Sequence, residues 1–134
     1  MITVDVPIFR GVPHVKTAAD LEGAYVVIIG SSYLIVIEVQ ESLMKKFQDE
    51  KHELLLNRIG WIVNVATRLD IPLVAMAEEI PAMGSAAPSI AEKFPKDTTI
   101  HDRMGFGLAA GPEILDAVKK TGRKLPFLAY YFQV

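Results

Sequence analysis

The chain has 134 residues, of which 51% are hydrophobic and 22% charged, and its formal net charge is −2. That size gives room for one domain with a proper core, and the composition is that of a globular rather than a disordered chain. The charge balance argues against a nucleic-acid partner, since the densest basic cluster, Lys119, Lys120, Arg123 and Lys124, is placed as a helix end; the lack of cysteine removes disulfides, thiolate metal sites and a cysteine nucleophile from the chain.

Residues 1–23 read as an extended arm, because Pro7, Gly11 and Pro13 forbid a continuous helix. The first ten residues lack a basic start followed by an apolar run, so no secretory signal is read. The apolar stretch from Ala24 to Val39 is broken by Gly30-Ser31-Ser32 and falls short of a membrane span, so the expected setting is the cytoplasm, with no membrane partner. Tyr25-Val26-Val27-Ile28-Ile29 predicts a buried strand. Only three residues separate it from the next strand, whereas a parallel crossover needs about a dozen. The two are therefore expected to form an antiparallel hairpin with Gly30 first in the turn.

Tyr33 to Gln40 predicts the central strand. Five apolar residues, several β-branched, run into Glu38 and Gln40, the pattern of a strand buried on both faces whose tip reaches a site. Ligands in open α/β sheets lie beyond the carboxyl ends of the strands, which makes Glu38 a candidate for chemistry. The other reading is that Glu38 ends the strand or pairs with a nearby base.

Glu41 to Phe47 reads as a loop or a short helical turn. Asp49 is a plausible N-cap for a long helix to Leu69, with Leu55, Ile59, Ile62, Ala66 and Leu69 on its inner face, Lys51, Arg58 and Arg68 on its polar face, and Trp61 expected to pack. Asp70-Ile71-Pro72 stops it, and Leu73 to Ala77 predicts a parallel strand ending at Glu78-Glu79. Residues 80–97 read as loop with one short helix from Pro88 to Phe94. Thr98-Thr99-Ile100 is expected as a short strand and His101 to Gly107 as a loop. Gly111-Pro112-Glu113 starts a helix with Ile114, Leu115 and Val118 inward and Gly122 at C′. Leu125 to Val134 closes the chain as a β-rich run with Tyr130, Tyr131 and Phe132. The five methionines read as core filler.

In order and spacing, Leu34-Ile35-Val36-Ile37-Glu38-Val39-Gln40-Glu41, Asn57-Arg58-Ile59, Leu69-Asp70-Ile71-Pro72-Leu73-Val74, Ile100-His101-Asp102-Arg103-Met104-Gly105-Phe106-Gly107 and Thr121-Gly122-Arg123-Lys124 resemble the isochorismatase-like hydrolases over residues 33–124. The resemblance implies an α/β fold with a mostly parallel, doubly wound sheet between flanking helices in three layers, truncated relative to the family and preceded here by the hairpin. Residues 1–134 are expected to form one domain, an arm and extra strand over 1–30 and the core over 31–134. The family's aspartate falls on Glu38 and its lysine on Arg103, which makes these two the remnant catalytic positions; Gln40 and Phe106 are the expected substrate contacts. The family's cysteine would fall just beyond Phe127 to Val134. Glu keeps the charge but moves it by a methylene, Arg does not release its proton at physiological pH, and a missing thiol stops the covalent route.

A second set, Pro7-Ile8-Phe9-Arg10-Gly11-Val12-Pro13-His14-Val15 and Leu21 to Gly30, resembles the opening of agmatinase-type ureohydrolases. The metal ligands of that family are not matched, since His14, His52 and His101 lie apart and none sits in an Asp-x-His-x-Asp arrangement, so no metal and no cofactor is expected. His101 beside Asp102 reads as a loop histidine rather than a dyad, because adjacent side chains diverge. The two resemblances together suggest a chain joined near Gly30-Ser31-Ser32. The expected function is an isochorismatase-like hydrolase fold, inactive for want of the cysteine, with room for a small-molecule ligand; the alternative is a structural or oligomerising α/β module. Either way the apolar surplus and aromatic end point to a homo-oligomer.

Overall fold

The computed structural model describes residues 29–45, 52–105, 107 and 111–130. Its elements, in chain order, are β1 (Ser32–Ile37), α1 (Glu41–Met44), α2 (His52–Arg68), β2 (Leu73–Glu78), α3 (Ile80–Met83), α4 (Pro88–Ala91), β3 (Ile100–Arg103), α5 (Pro112–Lys120) and β4 (Leu125–Tyr130). The strands form a four-stranded sheet in the order β3-β2-β1-β4, with every pair parallel. Moving from β1 to β2 to β3 steps one way across the sheet, and the return to β4 steps back past β1. With right-handed crossovers, that reversal puts α2 and α5 on opposite faces.

The residues of β1 divide between the two faces by simple alternation. Leu34 and Val36 join Ile59, Val63 and Ala66 of α2 and Ile90 of α4 in one core layer. Tyr33 and Ile35 join Met76 of β2 and Ile114 of α5 in the other, with Val118 packed against it. Burying one such aliphatic side chain contributes about 1.5–3 kcal/mol, which is why the β-branched run in β1 can anchor both layers. At the end of α5, Lys119 and Lys120 occupy the last turn, and Gly122 takes φ +65° two residues beyond it.

The hairpin expectation fails on geometry. Residues 29–31 are helical, and both edges of β1 are occupied, by β2 and β4. No edge remains for an antiparallel partner preceding it. The rest of the expected first strand, residues 25–28, lies outside the described residues, as do Asp49, Tyr131, Phe132 and nearly all of the agmatinase-like segment. The expected loop from His101 onward is in fact strand as far as Arg103, and α3 is a short helix where loop was read. Trp61 and Leu115 do not pack inward; they are 65% and 39% exposed. Met44 and Met76 are core residues as expected, whereas Met104 is exposed.

Gly60 sits in the buried face of α2, where an added Cβ would come 2.9 Å from Lys93 Cε and an ordinary 3.7 Å from Ile90 Cδ1. The close neighbour is the flexible end of a side chain whose ammonium makes only an exposed pair with Glu92. Relief of the glycine's helix penalty, worth about 1 kcal/mol, outweighs moving it. Gly60→Ala is therefore expected to raise the thermal midpoint by roughly 2–4 °C; a lower midpoint in calorimetry would mean that Lys93 cannot yield.

Candidate functional site

The topological reversal lies between β1 and β4, so the carboxyl ends of the strands form the edge where a doubly wound sheet presents its ligands. Glu38 follows β1 directly and takes a left-handed backbone, φ +53°. Its N–H still reaches back to the Met76 carbonyl at 3.0 Å, and its own carbonyl accepts from Gln40 N–H at 2.9 Å. A non-glycine residue held in this region costs of order 1–3 kcal/mol unless its surroundings fix it. Glu79, after β2, is also left-handed, at φ +43°. Two neighbouring strands thus turn sharply at the same edge and keep their carboxylates there.

Arg103 ends β3 and brings the three strands together. Its Nη2 pairs with Glu38 Oε1 and with Glu78 Oε1, the latter at 3.4 Å, and its Nη1 donates to the Gly105 carbonyl. The arginine side chain is 9% exposed, against 23% for Glu38 and 31% for Glu78. The buried Arg103 Nε finds no hydrogen-bond partner among the described residues. Two carboxylates thus face one guanidinium, and the cluster carries a net negative charge. Asp102, next along β3, turns away and accepts the Ile80 N–H at 2.9 Å, capping α3 from a neighbouring strand.

Gln40 is fully buried. Its Oε1 accepts the Glu78 N–H at 2.7 Å, and its Nε2 donates to the carbonyls of Glu78 and Gly84 at 2.9 and 2.5 Å. Both amide N–H groups are therefore committed to backbone that joins β2 to the end of α3. The expected substrate contact is a structural clamp in this geometry. The second expected contact, Phe106, lies outside the described residues. Glu38 and Arg103, distant in sequence, are brought into direct contact. The share taken by Glu78 was not foreseen, although its place at the tip of the next parallel strand, level with Arg103 in the register, was the signal for it.

His101 points away from this edge and lines an open groove of about 820 Å³ at the opposite end of the sheet, with Asp70, Asp97, Asp116 and Lys120. This groove and the charged strand tips are thus separate places. No group of three or more metal-ligating side chains gathers among the described residues.

No family model matches the sequence, and no curated protein matches it. Solved structures do. The YcaC gene product of Escherichia coli, described as an octameric hydrolase of unknown specificity, superposes with a TM-score of 0.68 at 19% identity, over 76% of this chain and 50% of that one. The chain shares that protein's fold. YcaC from Pseudomonas aeruginosa, solved with hexane-2,5-diol and covalent acrylamide, gives 0.67 at 20% identity over 76% and 51%. MAR1 ribonuclease from Caenorhabditis elegans gives 0.65 at 21% over 75% and 50%. The chain spans about half the length of these proteins. The architecture is thus a parallel α/β fold shared with about half of each of these proteins. No helix among the described residues is long and apolar enough to cross a membrane.

Proposed function

We propose that the 134 residues form one isochorismatase-like hydrolase-fold domain in which the old catalytic edge has become an ion-paired latch without hydrolytic turnover. The observation that carries this reading is the Arg103 guanidinium engaged by both Glu38 and Glu78. A carboxylate tied to a guanidinium is a poor general base, because taking a proton would break the pair. Arginine cannot serve as the acid, since it keeps its proton at physiological pH. The chain offers no thiol to attack a carbonyl carbon. Homo-oligomerisation belongs to the same proposal and is supported by the octameric description of E. coli YcaC. A ureohydrolase-like source for residues 7–30 rests on the sequence motifs alone.

The test is a direct assay of the purified chain against simple amides and isochorismate-type vinyl ethers. The expected rate is that of buffer, unchanged in Glu38→Gln. Turnover that Glu38→Gln abolishes would overturn the inactive reading.

A further inference from the structure

The outer face of α2 is one part of the described surface that the fold itself does not use. Leu54, Trp61 and Arg68 recur at seven-residue intervals, and a helix drifts only about 20° per seven residues, so the three lie along one stripe. Leu54 is 51% exposed and Trp61 65%, and Arg68 closes the stripe in the last turn. Asn57 and Asn64 flank it on one side together with Glu53, which lies in the first turn. Among the described residues neither Glu53 nor Arg68 forms an ion pair within the chain. A large indole is the residue type that most often dominates an interface when it leaves water.

We propose that this stripe pairs with the same stripe of a second copy of the chain, the two α2 helices running antiparallel about a two-fold axis near Trp61. The inference rests on the homo-oligomer proposed above and names its surface. The charge pattern selects the occupant. About the two-fold, a residue eight positions before Trp61 comes level with one seven positions after it on the partner helix. Glu53 of each copy therefore meets Arg68 of the other, on the same flank, and each contact occurs twice. Asn57 comes level with Asn64, where two side-chain amides can exchange hydrogen bonds. The two indoles meet in the middle, and Leu54 covers each end beside the Glu53–Arg68 contact. The helix dipoles oppose in this arrangement, so each acidic first turn lies beside a basic last turn. A parallel pairing would set Glu53 level with Glu53 and Arg68 level with Arg68, and no Glu53 would meet an Arg68. One pair of helices about 25 Å long is a small interface by the standard of stable dimers, which places the association in a range that dilution can reach.

Trp61 is the chain's one tryptophan, so its fluorescence reports this surface without a label. The experiment follows emission and light-scattering mass together across a dilution series of the wild-type chain and four variants. The wild type is expected to shift to shorter wavelength as mass doubles. Trp61→Glu is expected to weaken association at least tenfold, read by mass alone, with unchanged far-ultraviolet circular dichroism because the position is exposed. Glu53→Arg and Arg68→Glu are each expected to weaken it about five- to tenfold, and the double reversal to restore it to within about twofold. Oligomers that persist in Trp61→Glu and in both single reversals, or a double reversal no better than the singles, would overturn the α2 pairing while leaving the oligomer reading intact. A wild-type chain that stays monomeric at millimolar concentration would overturn both.

Discussion

Replacing Arg103 by methionine is expected to destabilise the protein by about 2–4 kcal/mol. The substitution keeps the bulk of the side chain and removes the group that both Glu38 and Glu78 face. Two carboxylates are then left close together at the strand tips, and the Gly105 carbonyl loses its donor. The full cost of breaking a buried pair is tempered here because both carboxylates keep some contact with water. Urea unfolding should show the midpoint falling by roughly 1–2 M with an unchanged slope. Arg103→Lys is the informative control. An ammonium is a point charge without a fork, so it can hold one carboxylate well but not two carboxylates and a carbonyl together. It should fall between methionine and wild type. A methionine variant as stable as wild type would show that the ion cluster merely offsets its own desolvation.

Gln40→Leu is expected to cost about 3 kcal/mol or more, although it exchanges a buried side chain for one of similar size. Leucine satisfies the packing but orphans three backbone groups: the N–H and carbonyl of Glu78 and the carbonyl of Gly84. Each buried polar group without a partner costs about 1–3 kcal/mol, with part recovered wherever water enters. The thermal midpoint should drop by roughly 10 °C, and the Glu78 amide should lose protection from hydrogen exchange before its neighbours in β2 do. If the Glu78 amide keeps its protection while the midpoint falls, the loss comes from repacking and the clamp is not what holds this edge.

The contrast between these residues explains what could be read from the sequence. Apolar β-branched runs located β1 and β2 because strands covered on both faces have few other compositions. The glycine and proline punctuation located α5 to within a residue. The hairpin expected at Gly30 fails because a short connection implies antiparallel pairing only where the following strand has a free side, and both sides of β1 are taken by strands from later in the chain. Arg103 was read into a loop because β3 has four residues, three of them polar, and such a strand is made by its neighbour rather than by its own propensity. Glu38 and Arg103 were matched to motif positions one at a time, but their contact with Glu78 depends on the parallel register, which no local pattern encodes. Trp61 was assigned to the core on the ordinary burial habit of its residue type. The polar residues around it on the helix, Asn57, Arg58 and Asn64, already described an outward face.

The order of the sheet also bears on how the protein is made. β1 is the first of the described strands to leave the ribosome, and β4 is the last. Yet they are neighbours: Ser32 is in register with Leu125, and the Lys124 N–H and Arg123 guanidinium reach back to the carbonyls of Ser31 and Ile29. During synthesis β2 can take one side of β1 early, while the other side waits, with an apolar strand's hydrogen-bonding groups uncovered, until β4 has emerged. Such long-range parallel closure is slow, and the waiting state is open to pairing with other chains. The yield of this protein in a cell should therefore depend on how well β1 is shielded before β4 arrives more than on the stability of the finished sheet.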